Sequence, residues 1–439
     1  MSEIIEPTVN EIFIQAVQFH QKNRLENAKE LYIKILKKNP NFVSAHNNLG
    51  LVFKSIHETE KAKDCFEKAI EIDPKFFMAH NNLGVLFKDS GEIEKAKNCY
   101  EKAIEINSKF SDAYNNLGVV LTNLGKSQEA INNYCTALKF NSKHKDAQLN
   151  IITDLTFFTP DKSQNTNNLL ILVNNELRNI NNDVIFENLL KPESLSDFFE
   201  KSNNVVNRIK ENIDDLNYLE TQAFRRNSIN LNCERHHKVF NKSNIIPKFC
   251  FSCFKIQIEP KNVLELLKLF FIFDGLKLSN NNWRKCTIEL RKEIPGTYKG
   301  FIYCSSMDET NKILNDITPI LKRFINYKVS IKRGCSEFYK PFPDFKQTNN
   351  NESNYMNYNN QWMKIEEEDD KNSSERKIFK KTIPGLSISD FLIIRNWLSF
   401  AKIIDDFSYK YITLEPPNTE SIFNLLFDQL EFRKKQFLC

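Results

Sequence analysis

Along the first third of the chain, apolar and small residues fall at helical intervals and then recur as a block. HNNLGLVF begins at His46, HNNLGVLF at His80 and YNNLGVVL at Tyr114, so the interval from the first to the second equals that from the second to the third. Leu49-Gly50, Leu83-Gly84 and Leu117-Gly118 recur in phase. So do Ala62, Ala96 and Ala130, then Phe66, Tyr100 and Tyr134, then Ala69, Ala103 and Ala137. A divergent unit precedes them, with Ala16, Phe19, Ala28, Tyr32 and Pro40 in the same phase. Such a period predicts one supersecondary unit stacked several times. Each unit reads as two antiparallel helices, whose small residues permit close approach while the aromatic ring packs between adjacent units. Gly91 and Gly125 mark the turns between helices. Pro40 and Pro74 stand near the ends of second helices, where proline interrupts the pattern.

The pattern changes after Phe157. Residues 167–180 and 195–226 read as amphipathic helices, with breaks at Thr159-Pro160 and Lys191-Pro192. From Ile246 the periods alternate. FCFSCFKIQIE (249–259) reads as a strand, NVLELLKLFFIF (262–273) as a helix capped by Asn262, and KCTIELR (285–291) as a strand. After the Pro295-Gly296 turn come a strand over 297–305, a helix over 307–325 and a strand over 328–334. That order, β-α-β-β-α-β, predicts a split βαβ or ferredoxin-like sandwich. Residues 347–374 are Asn-rich and then acidic and read as a flexible linker, with Trp362 as an anchor that docks back. Two amphipathic helices, 387–405 and 419–437, close the chain.

The repeated block resembles the tetratricopeptide repeat, whose pattern of Leu-Gly, aromatic, Ala, aromatic, Ala and Pro it meets almost in full over residues 9–144, with a closing helix over 145–157. The resemblance implies a superhelix with the first helix of each unit on the concave face. Asn48, Asn82, Asn116 and Asn150 share one phase there, and Asn47, Asn81 and Asn115 another; Lys54 and Lys88 recur too. An amide offers a donor and an acceptor, so a row of them suits the backbone of an extended peptide. In this the array is similar to that of the O-linked N-acetylglucosamine transferases. The stretch 158–439 lacks the glycines that a nucleotide-sugar fold needs, so that activity is not expected here.

Composition narrows the function classes. The 439 residues are 41% hydrophobic and 27% charged, with a net charge of +5, too mild to imply nucleic acid by itself. None of the ten glycines falls in a G-x-G-x-x-G or G-x-x-x-x-G-K pattern, which argues against a Rossmann site and a P-loop. No histidine follows His237, so neither an iron facial triad nor a late triad histidine can be built in the C-terminal half. No signal peptide or membrane span is expected, and the ten cysteines are expected as reduced thiols or ligands in a cytoplasmic protein.

Three readings of the α+β domain stand side by side. Cys233, His236, Cys250 and Cys253 have the paired spacing that zinc favours. The sandwich topology brings Cys304 and Cys335 to the same pole, so zinc or an iron–sulfur group is a candidate cofactor. Lys299-Gly300-Phe301-Ile302-Tyr303 resembles the K-G-F-x-F core of an RNA recognition motif, with Ile302 and Cys304 departing from it. The third reading is a structural domain, with Arg225, Arg226, Arg235, Lys332 and Arg333 as surface charges.

The expected architecture is therefore multidomain. It comprises a repeat solenoid (1–157), a helical link (158–226), a ferredoxin-like α+β domain (227–346), a linker (347–374) and C-terminal helices (375–439). The expected function is a protein-binding adaptor with a peptide or protein in the repeat groove. The alternatives are a recruited modifying enzyme or metal protein using the cysteine pole, and an RNA-binding sheet. No catalytic motif is apparent.

Overall fold

A computed structural model describes residues 7–161, 167–180, 191–214, 216, 218–225, 233–291, 294–346, 348, 356–371 and 381–412. The chain divides into two compact units, residues 1–150 and 151–439.

The first unit is a series of helical hairpins: α1 (Val9–Gln21) with α2 (Leu25–Lys38), α3 (Val43–Ser55) with α4 (Thr59–Ile72), α5 (Phe77–Asp89) with α6 (Ile93–Ile106), and α7 (Ser111–Asn123) with α8 (Ser127–Phe140). Helix α9 (Lys145–Asp154) follows. The array opens on a capping box, in which the Thr8 hydroxyl accepts from the Glu11 N–H and the Glu11 carboxylate accepts from the Thr8 N–H. That pairing holds the Glu11 carboxyl below its usual range, first through the Thr8 backbone bond.

The recurrent small residues work as the pattern predicts. Ala62, Ala96 and Ala130 are fully buried. The ring of Phe66, Tyr100 or Tyr134 lies directly over the glycine of its own hairpin, Gly50, Gly84 or Gly118. Phe66 also meets Leu83 and Leu86 of the next hairpin. The ring thus serves both the intra-hairpin and the inter-hairpin contact, rather than the latter alone.

Between paired helices one residue must adopt positive φ. The position falls on Asn23, His57, Gly91 and Gly125, with φ of 56°, 63°, 79° and 76°. A β-carbon in this region costs about 1–2 kcal/mol, while glycine costs entropy in the unfolded chain. Replacing His57 by glycine is therefore expected to leave stability unchanged or raise it by up to about 1 kcal/mol, read as a shifted urea midpoint. The residue that begins each recurrent phrase is also explained. His46, His80 and Tyr114 each donate to a carbonyl six residues earlier, of Pro40, Pro74 and Ser108.

The second unit is built on a five-stranded antiparallel sheet of order β1-β3-β4-β2-β5. Its strands are β1 (Gln222–Arg225), β2 (Phe254–Pro260), β3 (Arg284–Ile288), β4 (Tyr298–Cys304) and β5 (Tyr327–Arg333). Its longer helices are α10 (Leu169–Ile180), α11 (Pro192–Val206), α12 (Cys233–Ser243), α13 (Val263–Gly275), α14 (Met307–Phe324), α15 (Gln361–Lys371) and α16 (Ile388–Ile403). Helix α13 is largely apolar and buried along most of its length, its charged residues Glu265 and Lys268 paired with each other and Asp274 with Arg225, and Asn262 accepts from the Glu265 N–H as its cap. It lies against the sheet where Gly300 leaves room: a β-carbon there would stand 2.4 Å from Leu269 and 3.1 Å from Phe273.

Several elements depart from the sequence expectation. Gln222–Arg225 is a strand, not the end of a helix, because it pairs with β3 across Ala223 and Cys286. Its lead-in is strapped to α16 by the Trp397 indole donating to the Thr221 carbonyl and the Asn396 amide donating to Tyr218 and Glu220. Residues 248–251 form a helical turn after Pro247, so β2 starts at Phe254 rather than at residue 249. Within the expected linker, α15 is helical and anchored. Glu366 accepts from Arg235, the Lys248 N–H and Tyr358, while Trp362 packs on Phe342 and Phe251. Arg225 is no surface charge. It is 1% exposed, pairs with Asp274 at 3.2 Å and Asp390 at 2.8 Å, and lies 4.0 Å from the centre of the Phe270 ring. Arg333 is likewise buried, with its guanidinium on the carbonyls of Phe251 and Met356. Arg226 and the expected helix 419–437 lie outside the described residues.

Candidate functional sites

In the repeat array the asparagines form cross-repeat rungs. Asn82 donates to the side-chain oxygen of Asn47 at 2.8 Å, Asn116 to that of Asn81 at 2.9 Å, and Asn150 to that of Asn115 at 2.9 Å. Asn48, at the head of the row, donates to the Tyr32 hydroxyl at 3.4 Å and accepts from Asn47. The inner amides Asn47, Asn81 and Asn115 are buried, and the outer four are half-buried. Each outer amide spends one N–H on its neighbour, and a primary amide has a second N–H and an oxygen with two lone pairs. The rungs fix the amide planes and so hold those remaining groups in a set direction. Lys54 and Lys88 do not stand apart as free cations, because both ammonium groups converge on Asp89, at 3.3 and 2.8 Å.

In the second unit no three of the expected ligands bring their ligand atoms within 4.8 Å of one another among the described residues. Cys250 sits in an apolar cluster with Ile246, Phe338 and Phe345, and burial raises its thiol far above the usual range. Cys253 packs on Tyr303. Cys304 is buried and its thiol pushed up to about 12 by burial. His236 stacks on Phe249, 5.3 Å between ring centres. Cys233 is half-buried, with its thiol raised to about 12 by burial. Of the six, only Cys335 joins a close group. Its sulfur, a nitrogen of His237 and an oxygen of Glu337 all lie within 4.8 Å of one another, and this is the one such trio among the described residues. The spacing of the cysteines marks neither His237 nor Glu337.

The corner that carries Cys335 is fixed by its surroundings. β5 ends at Arg333, and Gly334, at φ +57°, turns the chain and donates to the Cys253 carbonyl at 2.7 Å. Phe345 fills the space where a β-carbon at Gly334 would stand. The Tyr339 hydroxyl closes the turn on the Arg333 carbonyl. From β2, the buried Lys255 ammonium donates to the Cys335 sulfur at 3.2 Å and lies 5.2 Å from the centre of the Tyr303 ring. Burial alone would raise the Cys335 thiol. The Lys255 charge and the His237 hydrogen bond outweigh it and bring the thiol down to about 7. The same hydrogen bond raises the His237 imidazole against its own burial. A cation bound by His237, Cys335 and Glu337 would have to coexist with that ammonium on the sulfur, so the arrangement suits a thiolate better than a metal.

Cross-strand register sets out the rest of this sheet face. Lys255 is opposite Tyr303 and Gln257 is opposite Phe301; Phe301 is also opposite Lys285. Tyr303 is buried and stacked on Trp283 at 4.7 Å, and Trp283 in turn on Phe224 at 5.1 Å. Lys299 is fully buried against Glu289 at 3.2 Å. The residues that resemble an RNA-binding core are thus engaged with their own neighbours, and Phe301 is the ring left half-exposed.

No described helix is long and apolar enough to cross a membrane. Tetratricopeptide-repeat family profiles match residues 43–76, 77–110 and 99–132. No curated protein matches the sequence. Among solved structures the chain is similar to MamA, at 25% identity over 32% of this chain and 81% of that one, with a TM-score of 0.29. It is also similar to YrrB, described as a TPR protein with an unusual peptide-binding site, at 24% identity over 34% and 76%, with a TM-score of 0.29. A third is pilF of Pseudomonas aeruginosa, at 19% identity over 47% and 92%, with a TM-score of 0.34. With evenly spaced hairpins of one pattern and family profiles that match within residues 43–132, the protein carries tetratricopeptide repeats in its N-terminal unit.

Proposed function

We propose that the protein is an interaction adaptor whose repeat array holds an extended segment of a protein partner along the row Asn48, Asn82, Asn116 and Asn150. The observation that carries this reading is the set of cross-repeat rungs at 2.8–2.9 Å, which orient the outer amides without exhausting them. Neighbouring packed helices lie about 8–10 Å apart, and an extended polyproline-type chain rises about 3.1 Å per residue with about three residues per turn, so that every third residue faces the same side. Successive rungs therefore match every third residue of an extended peptide. Such a row reads backbone more than side chains and admits many sequences. Nine free thiols among the described residues suit a reducing compartment, and we read the protein as cytoplasmic.

We read the second unit as a ferredoxin-like sandwich with β1 added at one edge. Strand order β3-β4-β2-β5 with α13 between β2 and β3, and α14 between β4 and β5, supports that reading.

The adaptor reading is tested by replacing Asn82 and Asn116 together with alanine and panning the full-length protein against a displayed library of unstructured peptides. The wild-type protein is expected to enrich peptides that the double variant binds at least tenfold more weakly. Far-UV circular dichroism should remain unchanged. Equal enrichment by a folded double variant would remove the asparagine row from the binding site.

A further inference from the structure

We propose that Cys335 is a nucleophilic thiolate that reduces hydroperoxides and becomes a sulfenic acid in doing so. The argument rests on the arrangement around the sulfur. A buried ammonium, Lys255, lies 3.2 Å away. A nitrogen of the His237 ring, on α12, and a carboxylate oxygen of Glu337 complete a trio with the sulfur, all within 4.8 Å of one another. The charged and titratable groups around them include Cys233, Cys250, Cys253, Lys285, Tyr303 and Tyr339, together with Arg291, which pairs with Glu337 and Glu289. The cation in direct contact with the sulfur is the Lys255 ammonium. Cys335 is half-buried as a residue, neither fully enclosed nor exposed.

A thiolate with a proton donor beside it is the machinery that an oxygen–oxygen bond requires. The Cys335 sulfur attacks the terminal oxygen of the hydroperoxide. The S–O bond forms, the O–O bond breaks, and the departing alkoxide or hydroxide takes a proton from the His237 imidazolium. Sulfur is oxidised from thiolate to sulfenic acid and the peroxide is reduced to an alcohol or water. Acyl transfer would ask more of the site, namely two converging donors for an oxyanion. The cysteines that share the pole, Cys233 and Cys253, are thiols held protonated by burial.

The remaining thiols provide an internal standard. Cys65 and Cys99 in the repeats are half-buried as Cys335 is, yet burial lifts each to about 11. The reduced full-length protein is treated at pH 7 with less than one equivalent of hydrogen peroxide in the presence of a cyclic dione that traps sulfenic acids, and its peptides are mapped by mass spectrometry. Cys335 is expected to be recovered as the dione adduct, or as a disulfide to Cys233 or Cys253, at least tenfold more than Cys65 or Cys99. His237→Gln is expected to cut oxidation of Cys335 severalfold and leave those two unchanged. Oxidation of Cys335 no faster than Cys65 and Cys99 in the wild-type protein overturns the proposal without recourse to any variant.

Discussion

Replacing Arg225 by methionine is expected to destabilise the C-terminal unit by about 3–5 kcal/mol, the range found when one partner of a buried ion pair is removed. Arg225 is 1% exposed and joins β1 to two helices, pairing with Asp274 at the end of α13 and Asp390 in the first turn of α16. Its guanidinium also lies over the Phe270 ring. Methionine keeps much of the volume but leaves two carboxylates buried without their cation. Asp390 retains the Ser387 cap bonds and Asp274 the bond from the Gly385 N–H, but neither replaces the lost charge. Lysine at this position should recover only part of the loss, since a point charge cannot span both carboxylates as a planar fork does. Denaturant unfolding followed by the fluorescence of the buried Trp397 reads the change. A shift below about 1 kcal/mol for methionine would show that the pair is a weak fastening.

Alanine at Gly118 should destabilise the repeat array by about 1–3 kcal/mol, the usual cost of overpacking a filled core. The sign is the test, because helix propensity alone favours alanine over glycine by about 1 kcal/mol. A β-carbon at this position would stand 2.4 Å from the Tyr134 ring. Tyr134 is 1% exposed and its hydroxyl is engaged with Thr122 at 3.2 Å, so the ring has nowhere to move. Because repeats lend one another stability across their interfaces, the loss should lower the midpoint of the whole array rather than of one hairpin. Thermal or urea unfolding by circular dichroism measures it. An alanine variant as stable as the wild type would mean that the hairpins can open enough to admit a methyl group.

The array is legible in the sequence because each hairpin repeats the same solution at a fixed interval, so Gly118, Tyr134 and Ala130 announce one another. The rungs are not. Asn82 bonds Asn47, which belongs to the neighbouring phase rather than to its own row, and only stacking brings those two together. Nor does the sequence place β1. Four residues with a helical-looking approach become a strand only because β3, far along the chain, offers an open edge. Arg225 reads as surface charge for the same reason, since its two carboxylates come from α13 and α16. At the cysteine pole the C-x2-C spacing suggests a metal. Pro247 instead turns 248–251 into a helical step and sends Cys250 into an apolar cluster. Lys255, one polar residue in the strand pattern over 249–259, is marked by no motif or spacing. Its partner Cys335 is distant in the chain, and the pairing requires the β2–β5 register.

Backbone recognition along the asparagine row is the central claim, and one measurement addresses it directly. A peptide enriched by the full-length protein is compared with a version of scrambled order and with one whose backbone is N-methylated at every third residue. The account predicts that scrambling changes the dissociation constant less than about threefold. N-methylation in register with the rungs should weaken binding tenfold or more, because it removes the N–H groups that the amide oxygens accept. Binding that survives N-methylation and fails on scrambling would contradict it, and would place recognition in side-chain pockets instead.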